Sequence, residues 1–423
     1  MRRCTSIFTA FIILVLYIQT TNAGGLALYE IGARNVGLAG SGWAARGYDA
    51  STLFMNPAAM SLFKHSQIMM GAQVLYGQFG FNPNPATTVE GNDGGNPVGA
   101  FPGGGLFYIH KTSEKVTLGI GVFSYFGLSQ KYDEGWVGRY YIQEGTLIGL
   151  TIMPSISYRV SEVVSLGFGL NIMYGIFDQK VAINNLGQQP DGMFAVDDET
   201  WGVGANVGVL FEFSPQTRVG IDYLSQVSLD FKGTSQFSGL GAVLEGLLGL
   251  AGLLNSQLDV GIIVPHMVMA SAYHEIDENV AIMGNIGWQN WKSFGMVDIT
   301  ISANEPTSLT TDLKFKDTWN IAGGVEIGVA EKWKLITGFA FDSSPVEDED
   351  RTLAFALGQS IRYGIGTRWD VSDQINLGFS YEFVHIGNLP VDQFRGPRAG
   401  RVSGVFANTA MHFFALDMQW ALI

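Results

Sequence analysis

Large apolar side chains alternate with small or polar ones along the C-terminal stretch FFALDMQWAL, and this alternation restricts the possible folds more than any other feature. The apolar set consists of Phe414, Leu416, Met418, Trp420 and Leu422. The positions between them hold alanine, aspartate and glutamine. Because successive side chains of a β-strand point to opposite faces, a period of two predicts a strand with one apolar face.

The same alternation recurs from about Ser66 onward, in segments of roughly ten or more residues. Examples are SIRYGIGTRWD, VVSLGFGLNIMY, TWGVGANVGVLFEF and WNIAGGVEIGV. The 55 glycines would weaken helices, whereas they suit strands that another backbone or a ligand approaches closely. The sequence therefore predicts an all-β protein.

Short polar turns divide these segments into pairs of strands joined by a longer connection. The turns are HKTSEK (110–115), RVSE (159–162), SPQT (214–217), EIDEN (275–279), AEK (330–332) and VSDQ (371–374). The intervals predict about fourteen strands, from near Gln67 to Leu422. Short turns at one end and long loops at the other are typical of outer-membrane barrels, whose closed sheets pair every backbone group within lipid. We therefore expect a 14-stranded antiparallel transmembrane β-barrel over residues 65–423, with a soluble sandwich as the alternative.

The N-terminus has the composition of a cleavable secretory signal over residues 1–23. Arg2 and Arg3 precede an apolar run at residues 7–18, and small residues precede the expected cut after Ala23. The only cysteine, Cys4, lies within this signal, so the exported chain has no thiol for disulfides, metal sites or nucleophilic catalysis. We predict no cofactor and no metal. A formal net charge of −14 argues against a nucleic-acid partner.

Residues 24–64 do not alternate and are rich in glycine and alanine. A segment of this length does not fold alone without disulfides or a metal. The lumen of a 14-stranded barrel is also too wide to be filled by its own strand side chains. We therefore predict that residues 24–64 form a hatch inside the barrel.

An ordered series of short motifs resembles one known family. Asn56-Pro57-Ala58 follows Asp49-Ala50-Ser51 shortly after the signal. The series continues with VFSYFGL (122–128), GWVGRYY (135–141), PSISYRV (154–160), SLGFGLNIMY (165–174), LDFKG (229–233) and FDSSPVEDEDR (341–351). Over nearly the whole exported chain, the sequence resembles the FadL/TodX family of outer-membrane transporters for long-chain fatty acids and hydrocarbons.

The resemblance implies a hatch-blocked barrel whose outer loops capture an apolar cargo, pass it to an internal pocket and release it sideways through a kinked third strand. It places Asn56, Pro57 and Ala58 in the hatch and Gly127 at the kink. Pro57 fixes one backbone angle, and the Asn56 side chain can bond nearby backbone groups. We expect this rigid turn to shift when ligand binds.

Family members that carry fatty acids hold the carboxylate with a serine and basic partners. Ser124 matches that serine, although straight alternation from Val122 would point its side chain outward. The basic positions fall on or near Val181 and Gly295, and the nearest cations are Lys180 and Lys292. The resemblance therefore leaves a neutral hydrocarbon cargo open.

The segment GLGAVLEGLLGLAGLLN (239–255) is the most apolar one outside the predicted strands. Its leucines and valine approximate one helical face. That face consists of Leu240, Val243, Leu244, Leu247, Leu248 and Leu254. With Phe194 from the preceding outer loop, it is predicted to form a hydrophobic capture groove. The alternative is a helix that only packs on the barrel rim.

Two other classes of protein share this barrel scaffold. A barrel phospholipase needs a His-x-Ser pair on one strand face, which the sequence lacks, so we predict that the chain is not an enzyme. A general porin or an adhesin stays open. The expected partners are a hydrophobic small molecule, outer-membrane lipid and lipopolysaccharide, and the barrel assembly machinery. The assembly machinery is expected to recognise the C-terminus, where the outward-facing set ends at Leu422 and Ile423 follows as one extra residue.

Overall fold

The computed structural model describes residues 29–185, 189–304 and 307–422, with only the backbone of Leu128. The predicted signal, residues 24–28 of the predicted hatch and Ile423 lie outside the described residues.

Fourteen strands form a closed antiparallel barrel in which each strand pairs with two neighbours. They are β1 (Ser66–Pro83), β2 (Gly99–Lys111), β3 (Val116–Lys131), β4 (Glu144–Arg159), β5 (Val164–Ile183), β6 (Gly192–Glu212), β7 (Thr217–Leu224), β11 (Met267–Glu275), β12 (Val280–Gln289), β15 (Thr318–Ala330), β16 (Trp333–Asp342), β17 (Ser360–Asp370), β18 (Ile375–Phe394) and β19 (Arg401–Leu422). Strand β19 pairs with β1, which closes the cylinder. The predicted all-β barrel and its strand number are confirmed.

The alternation in the sequence separates the outer and inner faces of this barrel. On β19, Phe414, Leu416 and Trp420 are exposed, whereas Asp417 and Gln419 are buried on the inner face. The six predicted short turns connect consecutive barrel strands at one end of the cylinder. Large apolar side chains on the outside and polar ones on the inside are the arrangement expected of a barrel in lipid.

The long connections at the other end contain structure that the sequence did not predict. A second sheet of four antiparallel strands consists of β8 (Val227–Thr234), β10 (Gln257–Val264), β13 (Met296–Ser302) and β14 (Thr307–Asp312). A short strand, β9 (Gln236–Ser238), pairs antiparallel with residues 193–195 of β6. The helices of these connections are α3 (Ala242–Leu250), α4 (Trp291–Phe294) and α5 (Gly396–Ala399). Among the described residues, every helix is too short or too polar to traverse a bilayer.

Residues 29–64, the N-terminal segment, form three short helical turns. These are α1 (Ala33–Gly37), α2 (Thr52–Met55) and a 3₁₀ helix (Pro57–Leu62). Nearly all of the segment is buried. On one side, the Arg34 guanidinium lies 2.8 Å from the Glu326 carboxylate of β15, and the Ala33 amide donates to Asp417 of β19 at 2.7 Å.

On the opposite side, inward-facing glycines of β5, β6 and β7 form a close-fitting surface for the same segment. A methyl group added at Gly167 would lie 2.0 Å from the Ala58 nitrogen, and one at Gly208 would lie 1.9 Å from Asn56 Oδ1. One added at Gly220 would lie 1.9 Å from the Ala44 carbonyl oxygen. Because glycine has no side chain, these strands let the backbone of the N-terminal segment approach the wall directly. The segment therefore contacts inward-facing residues on two opposite sides of the barrel.

Candidate functional site

The Asn56 side chain holds the turn that precedes the 3₁₀ helix. Its Oδ1 accepts from the Ala58 amide at 2.9 Å, which caps the helix in front of Pro57. Its Nδ2 donates to the Ala44 carbonyl at 2.6 Å and to the Val209 carbonyl of β6 at 3.2 Å. The predicted local backbone bonding of Asn56 is confirmed, and the same side chain also joins the turn to the barrel wall.

A row of aromatic rings leads from this turn to β3. Phe54, two residues before Asn56, packs against Trp43 at a centroid distance of 5.4 Å and against Tyr125 of β3 at 4.9 Å. Trp43 in turn lies edge-on to Tyr29 at 5.5 Å. Each such pair contributes about 0.5–1.5 kcal/mol beyond the area it buries. The N-terminal segment and β3 are therefore coupled through side-chain packing.

Strand β3 is interrupted where the motif YFGL predicts a kink. The register with β4 shifts between Ser124 and Phe126, so one extra residue is accommodated as a bulge. Tyr125 and Phe126 are consecutive, yet both are buried. Gly127 has φ +123°, and a methyl group there would lie 2.2 Å from the Leu147 carbonyl oxygen. Only glycine fits this position without strain, which supports its predicted place at the kink.

Beyond the bulge, β2 and β3 separate. Their ladder runs from Lys111–Thr117 to Gly105–Phe123 and ends there. From that point, residues 99–104 pair only with β1, and residues 124–131 pair only with β4. The gap ends where the Lys131 amide donates to the Pro97 carbonyl at 2.8 Å. We call this interruption of the wall the β2–β3 window.

A small aromatic cavity lies on the inner side of the bulge. Its lining comprises Tyr29, Trp43, Phe54, Tyr125, Phe126, Leu224, Val264, Pro265, Met267 and Gln289. The cavity volume is about 20 Å³. A cavity of about 150 Å³ holds benzene in another protein, so side chains must move before this one accepts a molecule of that size. The cavity therefore lies between the two elements that the sequence predicts to take part in gating, the N-terminal segment and the kink of β3.

A continuous apolar cluster connects the cavity with the outer end of the barrel. It includes alternate residues of the four-stranded sheet, such as Leu229, Phe231 and Val260, and it continues to Leu244 and Leu248 of α3. These side chains are buried within one cluster that also contains Trp43 and Phe126 of the cavity. An apolar molecule moving along this cluster would remain among apolar side chains.

Helix α3 buries only part of the apolar face that the sequence predicts. Leu244 and Leu248 are each 1% exposed, whereas Val243 is 66%, Leu247 is 40% and Leu250 is 80% exposed. At 100° per residue, Leu244 and Leu248 project in nearly the same direction, while Val243 and Leu247 lie well to one side of it. The apolar face predicted for the capture groove is therefore divided, with Leu244 and Leu248 buried and Val243 and Leu247 exposed. Val243, Leu247 and Leu250 form what we call the exposed face of α3.

The other predicted groove residues lie beside this helix. Leu240 and Leu254 flank it and are half-buried against the apolar cluster. Phe194 is buried and packs against Phe237 of β9 at a centroid distance of 5.3 Å. It belongs to the outer extension of β6 and not to a loop, because the β5–β6 ladder continues far beyond the predicted strand end. The structure thus brings Phe194 and the leucines of α3 together in one cluster.

The residues predicted to hold a headgroup are dispersed. The Ser124 hydroxyl donates to the Gly149 carbonyl at 3.0 Å. The Lys180 ammonium donates to the Glu144 carboxylate at 3.1 Å on the outer part of β4 and β5. Lys292 is exposed on α4. Among the described residues, neither these three side chains nor any other cation lines the aromatic cavity.

Buried charges next to the cavity are engaged with one another. The Arg362 guanidinium lies 2.9 Å from Asp342, 3.1 Å from Glu30 and 3.9 Å from Glu382. Burial alone would lower the pKa of Arg34 in the N-terminal segment, but the carboxylates of Glu326 and Asp49 raise it above its usual value. In the described part of the chain, no three histidine or acidic side chains are grouped so as to hold a metal ion. The charged groups therefore fasten the N-terminal segment to the wall.

Sequence reasoning missed most of the cavity. Tyr29, Trp43 and Gln289 are far apart in the chain, and the N-terminal segment has no periodicity that reveals which side chains face the lumen. The inward-facing glycines Gly167, Gly208 and Gly220 are one sequence signal that could have helped. A glycine inside a strand often marks a site where another backbone approaches closely.

Comparisons with known proteins agree with this geometry. The family model described as "Outer membrane protein transport protein (OMPP1/FadL/TodX)" matches residues 14–417. Outer membrane protein P1 of Haemophilus influenzae is 24% identical over 413 residues, covering 85% of this chain and 86% of the relative. The long-chain fatty acid transport protein of Escherichia coli K12 is 24% identical over 410 residues, covering 88% and 90%.

Two solved structures share the fold. A FadL homologue from Pseudomonas aeruginosa superposes with a TM-score of 0.84 at 18% identity, covering 94% of this chain and 100% of the homologue. The toluene transporter TodX from Pseudomonas putida superposes with a TM-score of 0.70 at 14% identity, covering 94% and 100%.

Proposed function

Because the chain belongs to the OMPP1/FadL/TodX family of outer-membrane transport proteins, we propose that it takes up hydrophobic small molecules and delivers them sideways through the β2–β3 window. The chain is an outer-membrane transporter of hydrophobic compounds and not an enzyme. The proposal concerns the route and the class of cargo.

One observation carries the proposed route. Tyr125 and Phe126, the residues of the β3 bulge, line the aromatic cavity and also stand at the edge of the β2–β3 window. A molecule in the enlarged cavity would therefore be separated from the membrane by these side chains and not by a paired strand. Delivery into lipid suits an apolar cargo, since each CH₂ kept out of water is worth about 0.8 kcal/mol.

Entry is proposed at the exposed face of α3. Val243, Leu247 and Leu250 present an apolar surface at the outer end of the barrel. Apolar surface of this kind on a soluble loop commonly marks a binding site. The buried side of the same helix, Leu244 and Leu248, continues into the apolar cluster that reaches the cavity.

The N-terminal segment is proposed to act as a hatch whose turn moves with the cargo. Phe54 lines the cavity and lies two residues before Asn56, whose side chain is bonded to Val209 of the wall. Enlarging the cavity requires its aromatic side chains to move. Movement of Phe54 would displace the turn at Asn56, which lies two residues further along the chain. The ion pairs of Arg34 on the other side of the barrel would keep the rest of the segment in place.

The lining of the cavity favours a neutral cargo over a carboxylate. A buried carboxylate is held most strongly by a cation, and the described lining offers none. Lys180 is paired with Glu144, and Arg362 already faces three carboxylates. We therefore propose a neutral hydrophobic molecule as the preferred cargo, with long-chain fatty acids as the second candidate because of the fatty acid transport proteins among the relatives. Contacts with lipopolysaccharide and with the assembly machinery stay predictions.

Deleting Tyr125 tests the route. Tyr125 is the extra residue of the bulge, with no partner on β4, and its deletion lets β3 continue its ladder with β2 past Phe123. We expect uptake of radiolabelled dodecane into Gram-negative cells expressing the variant to fall to the level of cells without the protein. A barrel that is folded, as judged by its heat-dependent gel migration, and that transports dodecane at the wild-type rate would contradict the proposal. A large steady conductance of the wild-type protein in planar bilayers would instead favour a general porin.

A further inference from the structure

The connection between β16 and β17 turns inward at the outer end of the barrel. Its residues 351–357, which we call the crossing segment, are all buried. Leu353, Ala354 and Phe355 have no exposed surface at all. Connections usually run over the surface, where water satisfies their peptide groups, so a buried one must find those partners within the protein.

Strand β18 supplies the first of these partners. The Gln393 side chain accepts from the Leu353 amide at 2.8 Å. The buried Arg351 guanidinium donates to the Pro390 carbonyl at 3.0 Å. The crossing segment is therefore fastened to the outer part of β18.

The outer end of β3 supplies the second set of partners. Gln130 is buried, and its Nε2 donates to the Ala354 carbonyl at 3.2 Å. Tyr132, which follows β3 directly, donates from its hydroxyl to the Leu353 carbonyl at 3.2 Å. Gln130 belongs to residues 124–131, the edge of the β2–β3 window on β3. The crossing segment is therefore also fastened to the outer part of that edge.

Three strands, β19, β1 and β2, stand between β18 and β3 in the wall. Leu353 and Ala356 of the crossing segment share one apolar cluster with Phe79 of β1. Phe101, on the β2 edge of the window, packs against the same cluster. The crossing segment thus passes along the inner side of these strands and reaches β3 at the window.

The crossing segment covers only the outer part of the window. Tyr125 and Phe126, which line the aromatic cavity, border the part that lies nearer the short turns. Phe355 approaches this part through Phe294, whose ring centroid is 5.6 Å from that of Phe355 and 6.0 Å from that of Phe126. The crossing segment therefore forms the outer border of the opening that faces the cavity.

Resting on the proposed function and its route through the window, we propose that the crossing segment limits the width of the molecules that leave the barrel. A linear chain passes beside the segment. A branched molecule of the same composition requires the segment to withdraw from β3, which breaks the hydrogen bonds of Gln130 and Tyr132. These two side chains are positioning residues that set the size limit of the exit.

Uptake of two isomeric alkanes by Gram-negative cells expressing the full chain tests this inference. The probes are radiolabelled dodecane and isododecane, its highly branched isomer, which match in composition and differ in width. Gln130→Leu/Tyr132→Phe removes both bonds between β3 and the crossing segment. We expect the rate of isododecane uptake relative to dodecane to rise at least about fivefold, which corresponds to about 1 kcal/mol for the two bonds together.

A matched control makes the same chemical changes elsewhere at the outer end. In Gln236→Leu/Tyr140→Phe, the bonds that are lost go to Asp197 and Asp191 and not to the crossing segment. The ratio of the two uptake rates should therefore stay at the wild-type value. Heat-dependent gel migration shows that both double variants are folded.

Two further measurements separate selection at the exit from selection in the cavity. For purified protein, the ratio of the dissociation constants of the two isomers should not change in Gln130→Leu/Tyr132→Phe, because neither side chain belongs to the described cavity lining. Ala354→Cys, added to both double variants, reports loosening of the crossing segment. A membrane-impermeant maleimide should label it at least about fivefold faster in Gln130→Leu/Tyr132→Phe than in the control.

An unchanged uptake ratio in the folded Gln130→Leu/Tyr132→Phe variant would overturn the inference. A rise that appears equally in the binding ratio would also overturn it, because the selection would then lie in the cavity. Equal labelling of Ala354→Cys in the two backgrounds would show that these bonds do not hold the segment. If deleting Tyr125 stops uptake while the ratio stays at the wild-type value, only this inference fails. If that deletion leaves uptake at the wild-type rate, the proposed route fails as well.

Discussion

Replacing Gly167 with alanine adds one methyl group where β5 meets the turn at residues 56–58. The added carbon would lie 2.0 Å from the Ala58 nitrogen and 2.3 Å from the Pro57 carbonyl carbon. Both are backbone atoms, so the turn must move by about 1.4 Å to reach an ordinary contact of 3.4 Å. Such overpacking costs about 1–3 kcal/mol. The displacement also strains the bond from Ser157 Oγ to the Ala58 carbonyl, 3.0 Å long, which is worth about 0.5–1.5 kcal/mol.

The sum, about 1.5–4.5 kcal/mol, should appear as easier local opening of the N-terminal segment. Ser61 is buried in the 3₁₀ helix, and residues 24–423 contain no cysteine, so Ser61→Cys reports that opening through its reaction with a maleimide. In purified protein, Gly167→Ala should accelerate labelling at least about tenfold, because 1.4 kcal/mol corresponds to a factor of ten. Gly80→Ala is the matched control, since a methyl group there meets no atom within 4 Å. Equal labelling rates in the two variants would contradict the claim that close contact with the inward-facing glycines holds the N-terminal segment in place.

Three further substitutions test other parts of the account. Leu250→Asp on the exposed face of α3 should lower uptake of dilute dodecane several-fold while the barrel stays folded. Ile276→Asp, at an exposed site at the opposite end of the barrel, should leave uptake unchanged. Equal uptake by the two variants would show that α3 is not part of the route. Gly127→Ala places a residue with a side chain where the backbone has φ +123°, and it should lower both the unfolding temperature and dodecane uptake. Unchanged values would mean that the kink does not need glycine. Arg362→Gln leaves buried carboxylates without their cation and should lower the free energy of unfolding by about 3–5 kcal/mol. Arg401→Gln breaks an exposed ion pair and should lower it by under about 1 kcal/mol. Similar losses in the two variants would contradict the structural role of the buried pairs.

The barrel wall was largely predictable from the sequence, because its period of two is a local property of each strand. The outward set Phe414, Leu416 and Trp420 and the turn residues Asn56 and Pro57 follow from alternation and turn chemistry alone. The four-stranded sheet of the outer connections was not predicted, since its short strands look like loop segments between the longer barrel strands.

The candidate site was predictable only in part. Gly127 came from the family motif, and its φ of +123° gives that motif a physical reason. Helix α3 was placed correctly in the apolar stretch, but a stretch that is apolar all round does not reveal which of its faces is buried. Trp43 and Tyr125 could not be brought together from sequence, because both line the cavity only through the way the N-terminal segment crosses the lumen.

The central claim is that cargo leaves through the β2–β3 window, and photo-crosslinking measures this most directly. A dodecane analogue with a diazirine at one end would be taken up by cells, irradiated during transport and located on the chain by mass spectrometry. The account predicts adducts on residues 99–104 of β2 and residues 124–127 of β3, together with the aromatic cavity. Adducts on inward-facing residues near the short turns, such as Arg159 and Arg218, with none at the window, would show passage along the barrel axis and contradict the account.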